Sequence, residues 1–129
     1  MNDRDFLAAF EAGTLPEEQF HHPDHVRAAW LLLREEAPAA ALARFSSALK
    51  RFAAAKGKTR LYHETITWAY LLLIHERMNG EASFDEFRDA NPELFQWKPS
   101  VLESYYRAET LGSDRAKRTF VMPDRRVTS

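Results

Sequence analysis

Between positions 41 and 53 the apolar residues recur every three or four places: Ala41, Leu42, Phe45, Leu49, Phe52 and Ala53. Arg44, Lys50 and Arg51 fall off that stripe, so the segment reads as an amphipathic helix with one wet face. Two other stretches behave differently. The string Val26-Arg27-Ala28-Ala29-Trp30-Leu31-Leu32-Leu33 and the string Ile66-Thr67-Trp68-Ala69-Tyr70-Leu71-Leu72-Leu73-Ile74 are apolar nearly all round. Helices of that kind are usually central and buried. No period-two alternation of useful length occurs, and β-branched residues are scarce, which predicts an all-α, single-domain helical bundle.

Glycine and proline set the boundaries. The four Gly and six Pro lie where periodic segments begin or end, as the usual helix-stop and helix-start preferences require. The pattern predicts helices over residues 3–12, 23–36, 38–56 and 61–79. A short helix follows Ser83, with Glu86 three residues on forming a capping box. Another helix is predicted over 99–111, and a last short piece after Ser113. Three or four main helices with short flanking ones make the bundle. One domain covers 1–129, with 122–129 as a poorly ordered tail.

Four of the five histidines stand at the starts of the two central helices. His21, His22 and His25 open one in Phe20-His21-His22-Pro23-Asp24-His25, and His63 opens the other in Tyr62-His63-Glu64-Thr65. Short connections on either side of the 38–56 helix make neighbours antiparallel, so the two central helices point the same way. Their histidine-bearing starts then meet at one end of the bundle. His75 is twelve residues beyond His63, roughly 18 Å along a helix, and belongs elsewhere.

Imidazoles with a carboxylate are the ligands used for Zn, Fe, Cu or Ni when thiolate is missing. The leading expectation is therefore one divalent metal ion held by His22, His25, His63 and Glu64, with His21 as a substitute ligand. Three protein ligands would leave a coordination position for water or oxygen chemistry on an unknown substrate. Asp24 and Tyr62 are expected to orient or supplement that set. The competing expectation is a metal-free module that binds a small anionic ligand in the same polar pocket, using unpaired N–H groups at the two helix starts and Arg27. A third possibility is that the cluster is structural, with His22 and Asp24 capping the first central helix and His25 and His63 hydrogen-bonded across the bundle end; Arg27 is then expected to pair with Asp24. Partial motifs do not decide the matter. His63-Glu64-Thr65-Ile66-Thr67 has threonine where a zinc protease helix has its second histidine, and Glu18-Gln19-Phe20-His21 is a single copy where a di-iron bundle needs two.

Composition narrows the alternatives. Lys and Arg number 18, Asp and Glu 19, and the net charge of -1 speaks against a nucleic-acid or anionic-membrane partner. The 129 residues contain no cysteine, which removes thiolate metal sites, covalent haem attachment and cysteine nucleophiles. No nucleotide-binding motif is present, and the longest apolar runs are far below the roughly 20 residues of a membrane span. A cytoplasmic protein is the resulting expectation. Trp97 or the aromatic side of the 99–111 helix is a candidate dimer face. In that helix Val101, Leu102, Tyr105 and Leu111 are expected to supply the packing face.

The strings His21-His22-Pro23-Asp24-His25-Val26-Arg27-Ala28-Ala29-Trp30 and Tyr62-His63-Glu64-Thr65-Ile66-Thr67, with the Phe120-Val121-Met122-Pro123-Asp124 ending, resemble an uncharacterised family of small bacterial helical proteins. The resemblance runs over nearly the whole chain and implies a stand-alone domain. It brings no activity, cofactor or site assignment with it.

Overall fold

The computed structural model describes residues 1–125. Among them there are seven α-helices, four short 3-10 turns and no β-strand. The helices are α1 (Asp3–Ala12), α2 (His22–Glu35), α3 (Pro38–Ala55), α4 (Glu64–Arg77), α5 (Phe84–Ala90), α6 (Ala108–Leu111) and α7 (Asp114–Arg118). The all-α bundle read from the sequence is the fold.

Helices α1 to α4 form the body. α1 packs on α3 and α2, α2 packs on both α3 and α4, and α3 packs on α4. α1 is capped by Asn2, whose side chain accepts from Asp5 N at 2.8 Å, and stops at Gly13 in the left-handed conformation (φ 74°). Phe6, Leu7 and Phe10 face inward, and the Phe10 ring lies 4.9 Å from Phe20 and 6.0 Å from Phe45. The all-round apolar reading of α2 holds. Val26 and every residue from Ala28 to Leu33 are buried, with Trp30 fully enclosed. In α4, Thr65, Thr67, Ala69, Tyr70, Leu71, Leu73 and Ile74 are buried, while Leu72 reaches solvent.

Departures from the expected elements have local causes. α4 starts at Glu64 rather than Leu61, because residues 59–61 form a 3-10 turn and His63 takes the capping position. The predicted 99–111 helix is not continuous. It is a 3-10 turn over Val101–Ser104 and then α6. The break has a visible origin at Asp124. Its Oδ1 accepts the Arg107 N–H at 2.9 Å, and the Tyr105 carbonyl accepts the N–H groups of Asp124 and Arg125 at 3.1 and 2.9 Å. Those backbone groups are thus withdrawn from the i to i−4 ladder that a continuous helix would need. The inward residues change with the backbone: Leu102 and Tyr106 are buried, whereas Tyr105 is half-buried.

The C-terminal segment closes on α4. Thr65, fully buried, donates to Thr119 O at 2.7 Å and accepts from Val121 N at 3.0 Å. Tyr106 donates its hydroxyl to Val121 O at 2.6 Å, and Phe120 stacks on Trp68 at 4.8 Å. Residues 122–125, expected as the start of a loose tail, include Asp124 and Arg125 in the bonds just described. Positions 126–129 of that expected tail lie outside the described residues.

Candidate functional site

The starts of α2 and α4 do lie at one end of the bundle. His21, His22, His25 and His63 all line a single cleft of about 690 Å³. Its walls are mostly apolar. α3 contributes Phe45, Leu49, Phe52 and Ala53, and α4 contributes Ile66, Tyr70 and Ile74. Phe20, Phe95 and Trp97 come from the connecting segments. From His63 to Ile74 the cleft follows α4 for eleven residues, roughly 16 Å at the usual rise.

The histidines in this cleft are not equivalent. His63 uses both ring nitrogens on the protein. Its Nδ1 accepts the Ile66 N–H at 3.1 Å, which caps α4, and its Nε2 lies 2.7 Å from the Leu111 carbonyl oxygen. A carbonyl can only accept, so Nε2 carries the proton and the ring is a neutral tautomer with no lone pair left over. His22 donates through Nε2 to Leu94 O at 2.8 Å, and its ring meets Tyr70 edge-on at 5.0 Å and Trp97 at 4.9 Å. Burial lowers its pKa, and the Leu94 bond opposes that shift.

His25 is different. Its ring stacks on Phe20 at 4.0 Å, and among the described residues neither of its nitrogens has a protein hydrogen-bond partner. Burial lowers its pKa to about 4, with smaller contributions from His22 and His21 nearby. At neutral pH it therefore presents an uncharged imidazole, one donor and one acceptor, toward the cleft. His21 is exposed at the N-cap position of α2, its own N–H bonded to Asp24 Oδ2 at 2.9 Å.

The carboxylates and the arginine from the expected site lie elsewhere. Glu64 does not line the cleft; it accepts from the Tyr62 hydroxyl, which also pairs with Ser46 at 2.7 Å. Burial and the Glu64 contact push the Tyr62 pKa up to about 12. Asp24 and Arg27 line a separate polar cleft with Asp3, Asp85 and Arg88. Arg27 does not pair with Asp24. Its Nη2 and Nε reach Asp3 Oδ1 at 2.7 and 3.0 Å, and its guanidinium covers the Phe6 ring. α1 thus supplies a partner that lies far from Arg27 in the chain. His75 is exposed in the last turn of α4, away from the cleft.

Of the expected metal set, the cleft unites His22, His25 and His63 with His21, and omits Glu64. Among the described residues no group of three or more His, Asp or Glu side chains is arranged to hold a metal ion. Of the N–H groups at the helix starts, Ile66 N is taken by His63 and the N-cap His21 N by Asp24.

The apolar lining was the part that residue patterns assigned only to the core. Phe45, Leu49, Phe52 and Ala53 are the lower half of the α3 stripe, and Ile66, Tyr70 and Ile74 are an i, i+4, i+8 row on α4. A row of this kind looks the same whether it meets another helix or an open space. Trp97 carried a weak signal as an exposed aromatic. It is 50% exposed and lies on the rim of the cleft beside His22.

No helix among the described residues is long and apolar enough to cross a membrane. Comparisons with protein-family models, curated proteins and solved structures find no match to this chain.

Proposed function

We propose that this protein is a binding module for a small, largely apolar organic ligand, held in the cleft without a resident metal. One observation supports this above the others. The cleft has the size and apolar character of ligand sites, and within it neither nitrogen of His25 is committed to a partner among the described residues. Apolar walls supply affinity by removing ligand surface from water, and one neutral imidazole supplies a directional contact. The edge-on and stacked rings of His22, Tyr70 and Trp97 favour a flat or aliphatic body beside them.

The metal reading demands more rearrangement. For His63 to become a ligand, its ring must give up either the Ile66 N–H that it caps through Nδ1 or the Leu111 carbonyl that it reaches through Nε2. Glu64 would have to leave Tyr62 and turn toward the cleft.

Ligand-observed NMR with a panel of small apolar compounds tests the proposal on the full chain. Binding is expected for the wild type and should be lost in Ala53→Phe and in Leu49→Trp, two variants that fill the cleft from α3. Circular dichroism checks that each remains helical. Binding unaffected by either folded variant would remove the cleft as the site. Stoichiometric Zn or Fe in the purified wild type, absent from both His25→Ala and His63→Ala, would replace this reading with the metal one.

A further inference from the structure

The cleft has a polarity along its length. Its ionic lining residues are Glu17, Lys56 and Lys58; the two lysines lie in the segment between α3 and α4, and Glu17 is paired with Lys58. Past Ile66 the α4 side of the lining is Thr67, Tyr70 and Ile74, with no ionic side chain. The two lysines are also unequal. Lys58 is paired with Glu17, whereas Lys56 is in no ion pair among the described residues. The Lys56 ammonium lies 5.4 Å from the centre of the Phe52 ring, itself a lining residue, so the free cation sits against the apolar wall.

We infer that the ligand is a monoanionic amphiphile, an aliphatic or aryl carboxylate, with its carboxylate at Lys56 and its apolar body laid along α4 toward Ile74. This rests on the reading of the cleft as a ligand site and adds the head group and the direction of entry. A carboxylate gains a charge-assisted contact at Lys56 while remaining near water, so its desolvation is small. Carried to the Ile74 end, the same charge would lose its hydration without a partner. A cationic head meets the unpaired Lys56 and a Glu17 already engaged by Lys58.

Decanoate, 1-decanol and decylammonium share one apolar body and differ in the head. Titrated into the full chain below their aggregation concentrations and followed by tryptophan fluorescence and calorimetry, decanoate should bind about tenfold more tightly than the other two, a difference of about 1.4 kcal/mol. Lys56→Gln should remove that advantage. Arg60→Gln, which deletes an exposed cation outside the lining, should leave decanoate affinity unchanged. Equal affinity for all three heads, or decanoate binding indifferent to Lys56→Gln, overturns the head-group assignment while leaving the cleft as a site for uncharged ligands. No binding of any of the three to folded protein overturns this inference and counts against the cleft reading itself.

Discussion

The four-helix body and the segment that follows it are held by different forces. From α1 to α4 the chain is joined by buried apolar faces, with Phe10, Val26, Trp30, Leu32, Leu71 and Ile74 almost fully enclosed. From Phe84 onward the helices are short, and much of the attachment is directional. His22 bonds to Leu94, Tyr70 to Ser100, His63 to Leu111 and Thr65 to Thr119 and Val121, each from a side chain on the body to the later segment. Two of the four clustered histidines are therefore fasteners, and a histidine-rich end need not be a metal centre. Burial is non-directional and tolerates a long helix, whereas a seam of hydrogen bonds requires particular atoms at particular places.

The contrast can be broken most forcefully in the body. Phe10→Ala leaves a cavity among Phe20 and Phe45, and a loss of about 3–5 kcal/mol in urea unfolding is expected, spread over the whole chain. A loss confined to residues 84–125 would show that the body is not the cooperative unit.

A smaller effect follows from acid. The folded His25 pKa of about 4 lies below the ordinary 6.5, so the unfolded chain binds more protons between those values. Stability present at neutral pH should fall as the pH drops from about 6.5 toward 4, by roughly 3 kcal/mol at most, and this contribution should then level off. His25→Phe keeps a ring against Phe20 and removes the titration. Its stability curve should be flatter over that window, and a curve parallel to the wild type would refute the assignment to His25.

The seam is expected to give the smallest and most local response. His63→Ala loses the α4 cap and the Leu111 bond together, a cost of about 1–3 kcal/mol. Hydrogen exchange should rise in α6 and α7 while α1 to α3 stay protected. His63→Asn can restore the cap but is too short to reach Leu111, so it should recover part of the stability and little of the local protection.

Half of the candidate site was legible in the sequence. That His25 and His63 line one cleft was expected from two short connections and the rule that they make neighbours antiparallel. The uses of those rings did not follow, because the partners of His22 and His63 are the main-chain carbonyls of Leu94 and Leu111, 72 and 48 residues away. Every residue type offers the same carbonyl, so nothing in the sequence marks these two. Glu64 is adjacent to His63 in the chain, yet it is not a lining residue; it accepts from the hydroxyl of Tyr62, which is one.

Hydrophobic periodicity and the placement of Gly and Pro determined the class of fold, the four main helices and the end of the bundle where the histidines gather, since these are consequences of local geometry and short links. Tertiary structure alone decided that the facing stripes of α3 and α4 leave an open cleft, that Asp124 interrupts the helix predicted over 99–111, and that His25 finds no hydrogen-bond partner for its ring among the described residues. Those outcomes depend on which distant backbone groups and rings arrive at the same place, and a linear pattern carries no record of that distance.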